Sequence, residues 1–254
     1  MTTSIAVVGI TGTMGRLVEA LIGRSDDLSL HAGLRSTSSL DEMLGADVVI
    51  DLTHPGASQA VVEFAVDHDI PLVVGTSGWS RDRIATIEAR RRAAESSAGV
   101  LFIPNFSVGS VLGTTLSALA APYFDSIEIL EAHHAGKIDS PSGTAVRTAE
   151  RIGEARSAVG PVAAPHTDQR ARGQQVSGVP VHSMRLAGVL ARQDVVFGGT
   201  GETLTITHST LSASSYESGI LLALAAARNE SGVVVGLDRL LGLDAIGPRS
   251  SDPA

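Results

Sequence analysis

Fifteen residues just past the middle of the chain, EAHHAGKIDSPSGTA (131–145), concentrate side chains able to do chemistry. His133 and His134 are adjacent, Lys137 follows them, and Ser142, Gly143 and Thr144 come directly after a proline. Lys137 is the only lysine in 254 residues; the other 18 basic side chains are arginine. Arginine keeps its charge, whereas lysine is a compact ammonium that can release a proton. The position therefore calls for an amine that arginine cannot imitate. An imidazole both donates and accepts protons near neutrality. On a strand, neighbouring side chains face opposite ways, so His133 and His134 need not share one task. Ser142 is placed to N-cap a helix whose first turn holds Gly143 and Thr144. Such a helix start offers backbone donors and a hydroxyl to an anion, and a carboxylate fits it. Lys137 either holds a second anionic group or supplies a proton. Singly, each residue has a plainer role: a structural histidine, a turn aspartate at Asp139, an ordinary cap. Together they point to a small, carboxylate-rich substrate undergoing reduction coupled to protonation. No metal site is expected from the histidine pair, because the rings diverge and no further ligand cluster accompanies them.

The elements that must position this stretch follow from apolar periodicity. Short apolar runs at 4–9, 28–34, 46–53, 71–76 and 99–105 predict strands. Amphipathic runs at 14–24, 57–69 and 80–97 between them predict helices. That alternation indicates a parallel sheet covered on both faces. The pattern then changes. A helical stretch near 108–121 leads to a strand at 125–134 that runs into the motif, and a helix at 142–158 follows it. A Pro/Ala/Gly/Gln-rich loop spans 160–180. Strands at 179–187, 189–198 and 202–210, joined by glycine-containing turns, are expected to pair antiparallel, before a last helix at 215–230 and a disordered tail, GPRSSDPA. The expected fold is α/β: an N-terminal Rossmann-type parallel sheet domain with a second, smaller α+β domain on a mixed or antiparallel sheet.

Composition sets the outer bounds. Hydrophobic residues make up 43%, enough for a packed core, and the absence of cysteine excludes disulfides and thiolate metal sites. A net charge of −8 argues against a nucleic-acid partner, so an anionic substrate must be gathered locally. The N-terminus lacks the basic flank of a signal peptide, and no apolar run approaches the roughly 18 residues of a membrane span. A cytoplasmic protein with no membrane partner is the expectation.

The segment VVGITGTMGR puts Gly9, Gly12 and Gly15 between the first strand and the first helix. There the backbone can approach a phosphate, and the helix start faces it with free N–H groups. Packing alone also accounts for such glycines; the strand and helix around them favour dinucleotide binding. Where an acidic residue normally holds the adenosine ribose, the sequence has Arg35 followed by four hydroxyl residues, Ser36, Thr37, Ser38 and Ser39. This suits a 2′-phosphate and favours NADPH over NADH, unless Arg35 is an ordinary loop residue. The loops GTSGW (75–79) and IPNFSVG (103–109) leave the C-terminal ends of strands, where ligands collect in such sheets.

With these pieces together, the sequence resembles the 4-hydroxy-tetrahydrodipicolinate reductase (dihydrodipicolinate reductase) family of lysine and diaminopimelate biosynthesis. The resemblance runs to about Leu243. It rests on GITGTMGR, DLTHPGA, GTSGW, PNFSVG, EAHHAGKIDSPSGTA and GVPVHSMRLAG. It implies that His133 is the catalytic acid/base and Lys137 a second catalytic residue, a proton donor. It implies that His134, Gly143 and Thr144, beside Ser142, hold a small dicarboxylate substrate. The nucleotide site would be lined by Gly9, Ile10, Thr11, Gly12, Thr13 and Met14, by Gly75, Thr76 and Ser77, and by Ile103, Pro104, Asn105 and Phe106. Residues 1–106 and 217–254 would form the dinucleotide-binding domain and 107–216 the substrate-binding and oligomerisation domain, with four subunits joined through the sheets of the latter. The sequence departs from its relatives in three places: Ala135 and Gly136 are small, Ser77 replaces a threonine, and Arg35 stands in place of an acid. Two other functions fit the residue pattern: a dehydrogenase for a different amino- or keto-diacid, and a non-catalytic NADPH sensor.

Overall fold

The computed structural model describes residues 2–243, so the tail GPRSSDPA (247–254) lies outside the described residues. The chain divides into two compact units. One runs to Ser107 and resumes at Tyr216–Leu241, and the other takes Val108–Ser215.

The first unit begins β1 (Thr3–Val8), α1 (Thr13–Gly23), β2 (Leu28–Leu34), β3 (Val48–Asp51), α2 (Pro55–Asp67), β4 (Leu72–Val74), α3 (Arg81–Ala93) and β5 (Gly99–Phe102). β1 stops one residue short of the predicted strand end, because Gly9 turns the chain at φ +86°. α3 ends before the predicted 97, with Glu95 in the left-handed region at φ +52° closing the turn.

The second unit holds α4 (Val108–Ala120), β6 (Ser126–His134), α5 (Gly143–Ala155), β7 (Gln174–Val176), β8 (Val179–Leu186), β9 (Ala191–Gly199) and β10 (Glu202–Thr210). Its sheet runs β10-β9-β6-β8-β7. β6 pairs antiparallel with β9 and parallel with β8, so the sheet is mixed. The expectation that the last three predicted strands pair in series holds for β9 and β10 but fails for β8 and β9, which flank β6 instead. β6 carries Ile127 and Ile129, both fully buried, and a central place satisfies the backbone groups along both its edges. β7 lies inside the stretch expected to be a loop. Its three residues, two of them exposed glutamines, carry no apolar alternation to announce it. Ala145, Ala149 and Ile152 recur at helical spacing on α5 and bury against Ile127, Ile129 and Phe197.

Returning to the first unit, the chain adds α6 (Glu217–Ala227), β11 (Gly232–Val235) and α7 (Leu237–Leu240). β11, the run GVVV, pairs parallel with β5 and was not anticipated; four residues after a long helix are too few to show a period. The completed sheet, β11-β5-β4-β3-β1-β2, is parallel throughout. Ile5, Val7, Ile50, Val73 and Leu101 are fully buried, as expected for strands covered on both faces. Each such side chain contributes about 1.5–3 kcal/mol of transfer free energy. Among the described residues, no helix is long and apolar enough to cross a membrane.

Candidate active site

β6 delivers the histidine pair. Alternation along it sets Ile127, Ile129, Glu131 and His133 on one face, the first three fully buried. His133 is half-buried, and its Nδ1 lies 2.6 Å from Glu131 Oε2. His134 takes the opposite face and is exposed. The chain then turns, with Lys137 N–H donating to the His134 carbonyl at 3.1 Å. A Cβ on Gly136 would meet only His134, at an ordinary 3.5 Å, so the small residues of this turn are not demanded by packing. Lys137 Nζ pairs with Asp139 Oδ1, and this hydrogen bond holds the Asp139 carboxyl below its usual range.

Ser142 caps α5: its Oγ accepts the Ala145 N–H at 3.2 Å, and the residue is buried. Its own N–H donates to Glu131 Oε1 at 3.2 Å. The first turn of α5 therefore reaches solvent through Gly143, which is exposed, and Thr144, half-buried. A Cβ on Gly143 would touch nothing within 4 Å. That open space beside backbone donors suits a carboxylate.

In the first unit, the predicted nucleotide residues lie at the C-terminal ends of β1, β4 and β5. After β1, Gly9 approaches the end of β3 so closely that a Cβ would lie 2.7 Å from the Leu52 carbonyl oxygen; at Gly15 it would lie 2.2 Å from that of Gly9. Ile10 is buried, Thr11, Gly12 and Thr13 are exposed, and Met14 is half-buried. Gly12 caps α1 without any side-chain bond, so the helix start keeps backbone donors for a phosphate. Gly75 sits between Leu52 and Phe106, each 2.7 Å from where a Cβ would be. Thr76, Ile103 and Phe106 are buried, Asn105 is half-buried, and Ser77 and Pro104 are exposed. Arg35 is exposed just past the end of β2. The glycines let these strand-end loops pack closely on one another, and together with the start of α1, free of a side-chain cap, that arrangement fits a dinucleotide.

Three further residues belong to these sites. Asp51, fully buried at the end of β3, accepts from Thr53 N–H and Oγ1 and from Ser58 Oγ, and Ser58 in turn accepts from Trp79 Nε1 at 3.0 Å. The carboxylate thus ties the DLTHPGA segment to the GTSGW loop. In the second unit, Arg185 grips Glu131 through both Nη atoms at 3.0 Å. Glu131 had a visible signal: it continues the buried row Ile127, Ile129, and an acid in such a row needs partners. Arg185 lies inside the segment GVPVHSMRLAG, but no local pattern ties it to Glu131, 54 residues away. Among the described residues, no three His, Asp or Glu side chains group to hold a metal.

Residues 3–106 match the family model described as dihydrodipicolinate reductase, N-terminus, and residues 109–241 match its C-terminus counterpart. The chain belongs to the dihydrodipicolinate reductase family. A family relative from Clavibacter sepedonicus, named 4-hydroxy-tetrahydrodipicolinate reductase, is 58% identical over all of this chain and 91% of its own length. Another, from Streptomyces avermitilis, is 42% identical over 94% of this chain and 98% of its own. Among solved structures, the dipicolinate-bound dihydrodipicolinate reductase of Paenisporosarcina sp. TG-14 superposes with a TM-score of 0.81 at 27% identity, covering 94% of this chain and 99% of that one. Membership in the dihydrodipicolinate reductase family accounts for both architectures, the parallel Rossmann-type sheet and the mixed one.

Proposed function

We propose that this protein reduces 4-hydroxy-tetrahydrodipicolinate to tetrahydrodipicolinate with NAD(P)H, a step of diaminopimelate and lysine biosynthesis. The observation carrying this reading is that a chain matching reductases of that name along its whole length also keeps His133, Lys137 and an open helix start in one short stretch. The nicotinamide supplies hydride when bound; the loops at Gly9–Met14, Gly75–Ser77 and Ile103–Phe106 hold its nucleotide. His133 moves the proton, and departure of the hydroxyl as water balances the reaction. Lys137 donates a proton or neutralises a carboxylate, while Gly143 and Thr144 bind a carboxylate through the N-terminus of α5 with His134 beside them. Arg35 meets the 2′-phosphate, which makes NADPH the favoured cofactor. A cytoplasmic homotetramer belongs to the same reading, and exposed Met184, Leu186 and Leu204 on the second sheet support association.

The test is nicotinamide oxidation by purified protein, with substrate generated in place from pyruvate and aspartate semialdehyde by the preceding enzyme. Oxidation that requires both precursors is expected. Oxidation that ignores them, or none from a protein that binds nucleotide, sinks the assignment.

A further inference from the structure

We infer that Glu131 is a positioning residue, which keeps the proton of neutral His133 on Nδ1 and so makes Nε2 the nitrogen that exchanges protons with substrate. The inference rests on His133 being the acid/base of the proposed reaction.

The argument begins with burial. Glu131 is 0% exposed, in a row otherwise given to isoleucine. Burial pushes its carboxyl up, yet the Arg185 guanidinium, the Ser183 hydroxyl and His133 outweigh it and leave the carboxyl below its usual range. An ionised carboxylate only accepts hydrogen bonds. The ring nitrogen 2.6 Å away must therefore donate, which puts the proton on Nδ1. The carboxylate itself cannot turn. Oε2 takes His133 Nδ1 and Arg185 Nη1, while Oε1 takes Arg185 Nη2 and the Ser142 N–H. Arg185 is locked in turn by the carbonyls of Met184 at 2.7 Å and Asp139 at 2.6 Å. Register explains the meeting: His133 pairs with Arg185 and Glu131 with Ser183 across the parallel β6–β8 ladder.

The same geometry predicts what an amide would do. In Glu131→Gln, the NH₂ must replace Oε1 or Oε2. At Oε1 it faces Arg185 Nη2 and the Ser142 N–H, both obligate donors. At Oε2 it faces a single obligate donor, Arg185 Nη1, and His133, whose ring nitrogen can become an acceptor; the Ser183 hydroxyl can accept at either oxygen and so does not decide between them. The amide therefore settles against His133, moves the ring proton to Nε2 and reverses the tautomer.

Nitrogen-15 spectra of histidine-labelled protein, with His133 assigned from a His133→Asn variant, read the tautomer directly. The wild type should show Nδ1 protonated and Nε2 bare, and E131Q the reverse. In the coupled assay, kcat of E131Q should fall about 10²–10⁴-fold, the span for general acid–base catalysis and for a reversed triad tautomer, with KM for NADPH unchanged. Should E131Q not fold, the wild-type spectrum still decides. Wild-type turnover with the proton on Nε2, or an E131Q whose kcat is unchanged, overturns the positioning role alone. No wild-type turnover overturns the reductase reading and this inference with it.

Discussion

Lys137 Nζ lies 2.7 Å from Asp139 Oδ1, and the aspartate is 59% exposed. An ion pair this open is worth at most about 1 kcal/mol, so the ammonium can leave it for a ligand at little cost. Lys137→Arg keeps the charge but brings a larger, planar fork that does not release a proton. Turnover should drop about 10²-fold or more while the melting temperature stays put. Steady-state rates beside a thermal melt check this, and near-normal kcat removes lysine from the chemistry.

Two glycines should separate fold from ligand. Gly143→Ala meets open space, so the variant should fold normally. Its methyl group would occupy the room proposed for a substrate carboxylate. Loss of one charge-assisted hydrogen bond there raises KM about 10–100-fold. Gly15→Ala instead drives a Cβ to 2.2 Å from the Gly9 carbonyl oxygen. It should cost about 1–3 kcal/mol of stability and weaken nucleotide binding. Urea unfolding and cofactor titration of both variants make the comparison.

Arg35→Ala should raise KM for NADPH about 10–100-fold, the worth of a charged hydrogen bond to phosphate, and leave KM for NADH nearly unchanged. An equal effect on both cofactors would mean that Arg35 does not touch the 2′-phosphate.

Asp69 gives a pH dependence unconnected with catalysis. Held at φ +55°, it accepts from Ser96 Oγ at 2.8 Å and from the N–H groups of Ser97 at 2.7 Å and Ala98 at 2.9 Å. The Ser96 hydroxyl, with these backbone donors, draws its pKa below the ordinary 3.8. A depressed folded pKa means stabilisation that is present above 3.8 and lost as pH falls through the lower folded value. Asn tolerates the same left-handed backbone, so Asp69→Asn isolates the charge. With solvent screening allowed for, the variant should be about 1 kcal/mol less stable near neutrality. The gap should close in acid. Urea midpoints at neutral and strongly acidic pH measure both ends.

By itself the sequence determined the features whose causes lie within a few residues. Apolar runs alternating with amphipathic ones fix a covered parallel sheet, because the periods of strand and helix show inside ten residues. Turn chemistry at Gly9–Gly15 and the cap at Ser142 are equally local, and Lys137 stood out by composition alone. Tertiary structure decided the rest. Only pairing between distant strands could set β6 between β8 and β9, or add the short β11 to the sheet's edge. Only that pairing could bring Arg185 across 54 residues to the buried Glu131 carboxylate. A buried charge takes its partner from whichever strand the ladder sets beside it, and no local period encodes that choice.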